Sequence, residues 1–209
     1  MTMRRSRAKV RRIPDSKDWL VDSESCASSL SFFEGHRGIM TLDREIAEDN
    51  LRGHLKKTYH NLDLANRLFE MHIRGEFRFR YGGENFYDWV VTVCYYAMYQ
   101  AALSALAAVR KTSENHTATI CALIHYYLHK KGKLGEKYII SLQLMGSIGK
   151  QDVQKLVDVR EQRERASYST SYSTVLALAQ NALTHARDFV FEVRRILEEG
   201  LPKDFLKEI

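Results

Sequence analysis

Two groups of side chains have the types and the spacing for chemistry. Cys121, His125 and His129 lie four residues apart, a spacing that stacks them on one helix face, and their types are those of zinc ligands. One helix rarely supplies three ligands at tetrahedral angles, and no fourth donor accompanies them. They read as a buried cysteine followed by surface histidines near a helix end, with no metal or cofactor expected. The second group is Val159-Arg160-Glu161-Gln162-Arg163-Glu164-Arg165-Ala166-Ser167-Tyr168. With Val153, Leu156, Val157 and Ser167, Arg160 and Arg163 continue a helical stripe, which aims a guanidinium along a buried or interface face. An unpaired charge there is costly, and Asp88 is a candidate partner. A solvated helix end laced by pairs such as Glu161–Arg165 is the alternative. The chain carries no phosphate loop, no G-x-S-x-G, no H-E-x-x-H and no glycine fingerprint.

Charge adds a third group. The net charge of +6 belongs to the N-terminus: Arg4, Arg5, Arg7, Lys9, Arg11 and Arg12 fall within residues 1–12 beside no acid, and the rest of the chain is neutral. Such an arm suits nucleic acid or an acidic partner; a solubilising terminus is the other reading. Cys26, Cys94 and Cys121 are odd in number and lack C-x-x-C spacing, and no apolar segment follows the basic start. Reduced thiols and a cytoplasmic setting are expected.

The elements that must position these residues are helices. Only Pro14 and Pro202 interrupt the chain, and glycine is sparse between them. Residues 1–40 read as a basic and polar tail and linker, partly disordered, with room for one short docked segment. Residues 41–200 read as a helical bundle, and 201–209 as a short C-terminal tail. From Thr41 to about His72, Leu51, Leu55, Tyr59, Leu62, Ala65, Leu68 and Phe69 keep the spacing of one buried stripe. Residues 89–109 form a 21-residue run without a charge, long enough to span a bilayer. Tyr95, Tyr96, Tyr99 and Gln100 sit at its middle rather than in interfacial belts, so roughly Tyr87–Arg110 reads as a buried core helix. A third helix is expected over Glu114–Lys131, and a fourth from Tyr138 to about Tyr168 with a break near Gly146 and Gly149. The last, Ser173–Glu199, has the cleanest amphipathic pattern. The expectation is an all-α fold, an antiparallel bundle of four or five helices.

Four features in order carry a family resemblance: a long first helix with Leu62-Asp63-Leu64-Ala65; Tyr87-Asp88 leading into Cys94-Tyr95-Tyr96-Ala97-Met98-Tyr99-Gln100-Ala101-Ala102; His116 opening a helix that ends at Gly132-Lys133-Leu134; and Arg163-x-x-Ala166-x-Tyr168 before a final amphipathic helix. Over residues 45–199 the chain resembles the HEPN domain (higher eukaryotes and prokaryotes nucleotide-binding), most nearly its small prokaryotic branch with a Y-Y-A-M helix and an R-x-x-A-D-Y signature. The resemblance implies a four-helix core, often a homodimer, and a cytosolic toxin–antitoxin or defence setting with a small nucleotidyltransferase as antitoxin partner. Many members are metal-independent ribonucleases, in which an R-x4–6-H motif places Arg on the phosphorane charge and His at the 2′-OH proton. Here the motif is degenerate. Tyr168 stands five residues after Arg163, where the histidine would fall, and Ser167 replaces the signature's Asp. The resemblance therefore implies RNA or nucleotide association through Arg160, Arg163, Arg165 and Tyr168, with Asp88 and His116 in support. A ribonuclease with Tyr168 or His116 in the histidine's role, and a non-enzymatic adaptor for the nucleotidyltransferase, are the alternatives.

Overall fold

The computed structural model describes residues 16–76, 86–144, 146 and 170–202. The chain folds as an all-α helical bundle: α1 (Ser16–Val21), α2 (Ser23–Gly35), α3 (Arg44–Ile73), α4 (Tyr87–Ala108), α5 (His116–Leu123) running on as a π-helical turn (Ile124–Lys130), α6 (136–144) and α7 (Thr170–Gly200).

α4 is the core of this bundle. Tyr87, Val90, Val91, Cys94, Ala97, Met98, Ala101, Ala102 and Leu106 are buried around most of its circumference, because α3 lies along one side and α7 along another. It is long and apolar enough to cross a membrane, yet 78% of its most apolar 18-residue window is buried within the protein. The pairs His72–Phe86 and His54–Gln100 run α4 antiparallel to α3, while Asn66–Arg187 and Tyr59–Arg194 do the same for α7.

On α3, Ala47, Leu51, Leu55 and Ala65 are buried, and Tyr59, Leu62, Leu68 and Phe69 pack on the core from its edge. Its outer face carries the i, i+4 pairs Arg44–Glu48, Asp63–Arg67 and Glu70–Arg74, each a few tenths of a kcal/mol. α7 supplies Ala179, Ala182, Leu183, Ala186, Phe189, Val190, Val193, Ile196 and Leu197 to the core.

One expectation is corrected. The region read as tail and linker is helical from Ser16, and its apolar residues belong to the core. Trp19, Cys26, Leu30 and Phe33 are buried, the Trp19 and Phe33 rings meet edge to face at 6.1 Å, and the Trp19 indole N–H donates to Ser29 Oγ at 2.9 Å. The serines that made the segment look like a linker close hydrogen bonds: Ser29 with Trp19, and Ser31 with the Ala27 carbonyl at 3.0 Å. Asp22 caps α2 by accepting the Glu24 N–H at 3.0 Å. Two short strands, β1 (Met40–Thr41) and β2 (Lys111–Thr112), pair antiparallel and stitch the entry of α3 to the exit of α4. Arg110 closes that junction with φ +58°, its Nε donating to the Leu42 carbonyl at 3.0 Å.

Candidate functional site

His116 heads α5, where local capping fixes its backbone. Asn115 is the N-cap and its Oδ1 accepts the Ala118 N–H at 3.1 Å. Asn115 is held in turn by Ser113, whose Oγ accepts its N–H at 3.1 Å while donating to the Gly38 carbonyl at 2.8 Å. The imidazole then stacks on Tyr99, with centroids 4.1 Å apart and planes 3° from parallel. The Tyr95 hydroxyl is hydrogen-bonded to His116 Nδ1. Tyr95 also meets Tyr96 at 5.7 Å, so Tyr96, Tyr95, His116 and Tyr99 form one aromatic cluster, open to solvent at Tyr96 and buried at Tyr99. The helix period explains the set: Tyr95 and Tyr99 are four apart and share a face, while Tyr96 turns to solvent, 49% exposed. Trp89, seven residues before Tyr96 and so in line with it along α4, is 57% exposed. The end of α6 closes on the same ring, since a Cβ at Gly146 would stand 3.2 Å from Tyr95 Cε2.

The electrostatics define what this cluster can do. Burial pushes the Tyr95 phenol well above its ordinary value, and the neighbouring Tyr99 and Tyr96 add to the shift. Burial raises Tyr99 as well, a bond with Thr119 opposing it. The phenol stays protonated, and its bond to Nδ1 holds the imidazole ring in place against Tyr99. The arrangement suits stacking and hydrogen bonding.

Asp88 is half-buried at the head of α4 and acts on His72. Burial lowers the His72 pKa and the Asp88 carboxylate opposes that shift. His72 Nε2 accepts the Phe86 N–H at 2.8 Å and its ring stacks on Tyr87 at 4.3 Å, which pins the end of α3 to the start of α4. Arg160, Arg163, Arg165 and Tyr168, and the basic residues Arg4, Arg5, Arg7, Lys9, Arg11 and Arg12, lie outside the described residues.

Cys121, His125 and His129 do not converge. Cys121 is buried against Cys26, each Sγ 3.5 Å from the other's carbonyl oxygen, and His129 Nε2 is 2.7 Å from the Trp19 carbonyl. Among the described residues no three His, Cys, Asp or Glu side chains come together as a metal site. A concavity of about 340 Å³ between the end of α3 and α7 holds two arginines. Both already have partners, Arg74 with Glu70 at 3.6 Å and Arg187 with Asn66 Oδ1 at 3.0 Å.

Sequence reasoning named His116 and missed the tyrosines that hold it. The available signal was the i, i+4 spacing of Tyr95 and Tyr99, which in the linear pattern reads as core packing. Compared with protein-family models and with curated proteins, the chain finds no match.

Proposed function

We propose that this chain is an HEPN-like protein that associates with RNA or a nucleotide, in a cytosolic toxin–antitoxin or defence setting. The observation that carries the reading is the aromatic cluster of Tyr96, Tyr95, Tyr99 and His116, exposed at Tyr96, with the His116 ring bonded through Nδ1. Unstacked bases are held on aromatic faces and by donors at their edges, and this cluster offers both. The ordered resemblance over residues 45–199 and the core helix in which Ala97 and Met98 of the Tyr-Tyr-Ala-Met segment are buried support the family assignment. In this reading Arg160, Arg163, Arg165 and Tyr168 contact phosphate, and the protein works as a homodimer.

The test is binding of labelled RNA and of ATP at low salt by the parent, His116→Ala, Tyr96→Ala and Arg163→Ala proteins. Each variant is expected to lose affinity, by about 1–3 kcal/mol per stacking contact removed. Parent-like binding by all three rejects the site.

Association without cleavage is the outcome this reading expects. Incubation with labelled RNA in EDTA is expected to leave it intact; cleavage abolished by Arg163→Ala would instead establish the variant ribonuclease. The adaptor reading draws on Trp89 and on Phe191, which is 69% exposed on α7. Co-elution with the product of an adjacent nucleotidyltransferase gene supports it, and separate elution removes it.

A further inference from the structure

At the far end of α5 the chain makes a cationic corner whose order comes from aromatic rings. Residues 125–137 contain Lys130, Lys131, Lys133 and Lys137, with His125 and His129, against the single acid Glu136. The π-helical turn ends at Gly132, where φ is +58°, a conformation glycine adopts without strain. The Tyr127 carbonyl then accepts the Lys133 and Leu134 N–H groups at 2.8 and 3.1 Å. This doubles the chain back, and Leu134, 2% exposed, plugs it into the core.

Three of the four lysines lie over a tyrosine face: Lys130 over Tyr126 at 5.2 Å, Lys131 over Tyr127 at 4.5 Å and Lys137 over Tyr138 at 4.7 Å. Contacts inside about 6 Å are attractive and hold ammonium groups that would otherwise sweep many rotamers. Less ordering entropy is then lost when a partner binds. Like charges are crowded here as well. Burial and then the neighbouring Lys133 lower the Lys131 ammonium from its ordinary value, and an incoming anion would relieve that repulsion. Of the acids on other helices, Glu199 is already shared by Lys133 at 3.1 Å and by Arg195, and Glu34 pairs with Lys111 at 2.7 Å. α1 lies against the same turn through the His129–Trp19 bond.

We infer that the corner formed by Lys130, Lys131, Lys133 and Lys137 is a docking surface for the phosphate backbone of a single-stranded nucleic acid. It lies beyond the His116 cluster, at the opposite end of α5 and its π-helical continuation, and the inference rests on the RNA-associated reading. Nucleic acid is favoured over a lipid surface because residues 116–138 expose no large apolar side chain among the lysines, the exposed Ile140 and Leu144 of α6 following beyond them. Tyr127 is buried, and the half-buried Tyr126 and Tyr138 are the faces a base could share.

The experiment measures fluorescence anisotropy of a labelled single-stranded RNA and of the DNA of the same sequence. The parent full-length chain is titrated between about 50 and 200 mM salt beside Lys130→Gln/Lys131→Gln/Lys137→Gln and His116→Ala, with melting curves to show that each variant is folded. Each phosphate contact to a single strand contributes about 0.7 to the salt slope. The triple variant should flatten it by about 2, so that affinity falls about 20-fold less over that range. Equal flattening with RNA and DNA marks a backbone contact; flattening with RNA alone places the 2′-hydroxyl in the same surface. A triple variant with the parent's slope, when His116→Ala has lost binding, overturns this surface and leaves the proposed function standing. A parent that binds neither strand overturns both, and retention on anionic phospholipid vesicles in that case makes the corner a membrane contact.

Discussion

Replacing Trp19 by alanine tests whether residues 16–35 belong to the fold. Trp19 is 1% exposed, touches Phe33 edge to face and donates its indole N–H to a Ser29 hydroxyl that is itself buried. Truncating a buried tryptophan costs about 3–5 kcal/mol through lost transfer energy and the cavity left behind. The stranded Ser29 hydroxyl places the change toward the upper part of that range. In a domain of this size each kcal/mol moves the melting temperature by about 2–4 °C, so the Trp19→Ala midpoint should fall by about 6–20 °C. Trp19→Phe keeps most of the apolar volume and loses the donor, and should fall by no more than about half as much. The assay is thermal unfolding followed by far-ultraviolet circular dichroism at matched concentration, with the long helices α3, α4 and α7 supplying most of the signal. Midpoints for parent and Trp19→Ala that agree within about 1 °C would refute the reasoning, because a linker tryptophan has nothing to lose.

Burial lowers the pKa of His54 and of His72, so the fold prefers both neutral. Their contribution is complete above the ordinary histidine value of 6.5 and is lost as pH falls below it, where the unfolded chain takes up protons first. The urea midpoint should therefore drop between about pH 7.5 and pH 5.5, and His72→Gln, which keeps an acceptor for the Phe86 N–H, should flatten part of that slope; a pH-independent parent refutes this. Burial pushes the Cys94 thiol up to about 12, and Cys26 and Cys121 are fully buried. Native protein at about pH 8 should thus resist alkylation over minutes while denatured protein labels at all three cysteines; rapid native labelling, read by mass, would contradict it. Deleting residues 1–12 removes six bases and should flatten the RNA salt slope by up to about 4 if all six meet phosphate, whereas an unchanged slope makes the arm a solubilising terminus.

The long helices were legible because one periodic signal dominates each of them. α3 was expected over residues 41–72 and runs Arg44–Ile73; the last helix was expected over Ser173–Glu199 and runs Thr170–Gly200. α4 was the harder case, since an uncharged run fits a bilayer and a bundle centre equally well by length. What separated them was chemistry at mid-helix, where Tyr95, Tyr96, Tyr99 and Gln100 stand: Gln100 finds its partner across the bundle in His54 at 2.7 Å, and Tyr95 in His116. α1 and α2 were misread because Ser23–Ser31 has the composition of a linker. Their stability comes from four apolar side chains that only make sense once α5 stands opposite.

The same limit governs the candidate site. His116 could be singled out because a histidine at a helix start is visible in one dimension, yet its function depends on Tyr95 and Tyr99, 21 and 17 residues earlier on another helix. That placement changes the chemical argument. A free imidazole near RNA would be a candidate base; an imidazole bonded at Nδ1 by Tyr95 and stacked on Tyr99 is a held ring that offers a face. Tyr95→Phe separates the two. It removes the hydroxyl, keeps the ring, and frees Nδ1. Binding by Tyr95→Phe within a few fold of the parent, with no gain in RNA cleavage, fits a stacking site. Cleavage that appears only in that variant would show the imidazole to be a base held in check by the Tyr95 phenol.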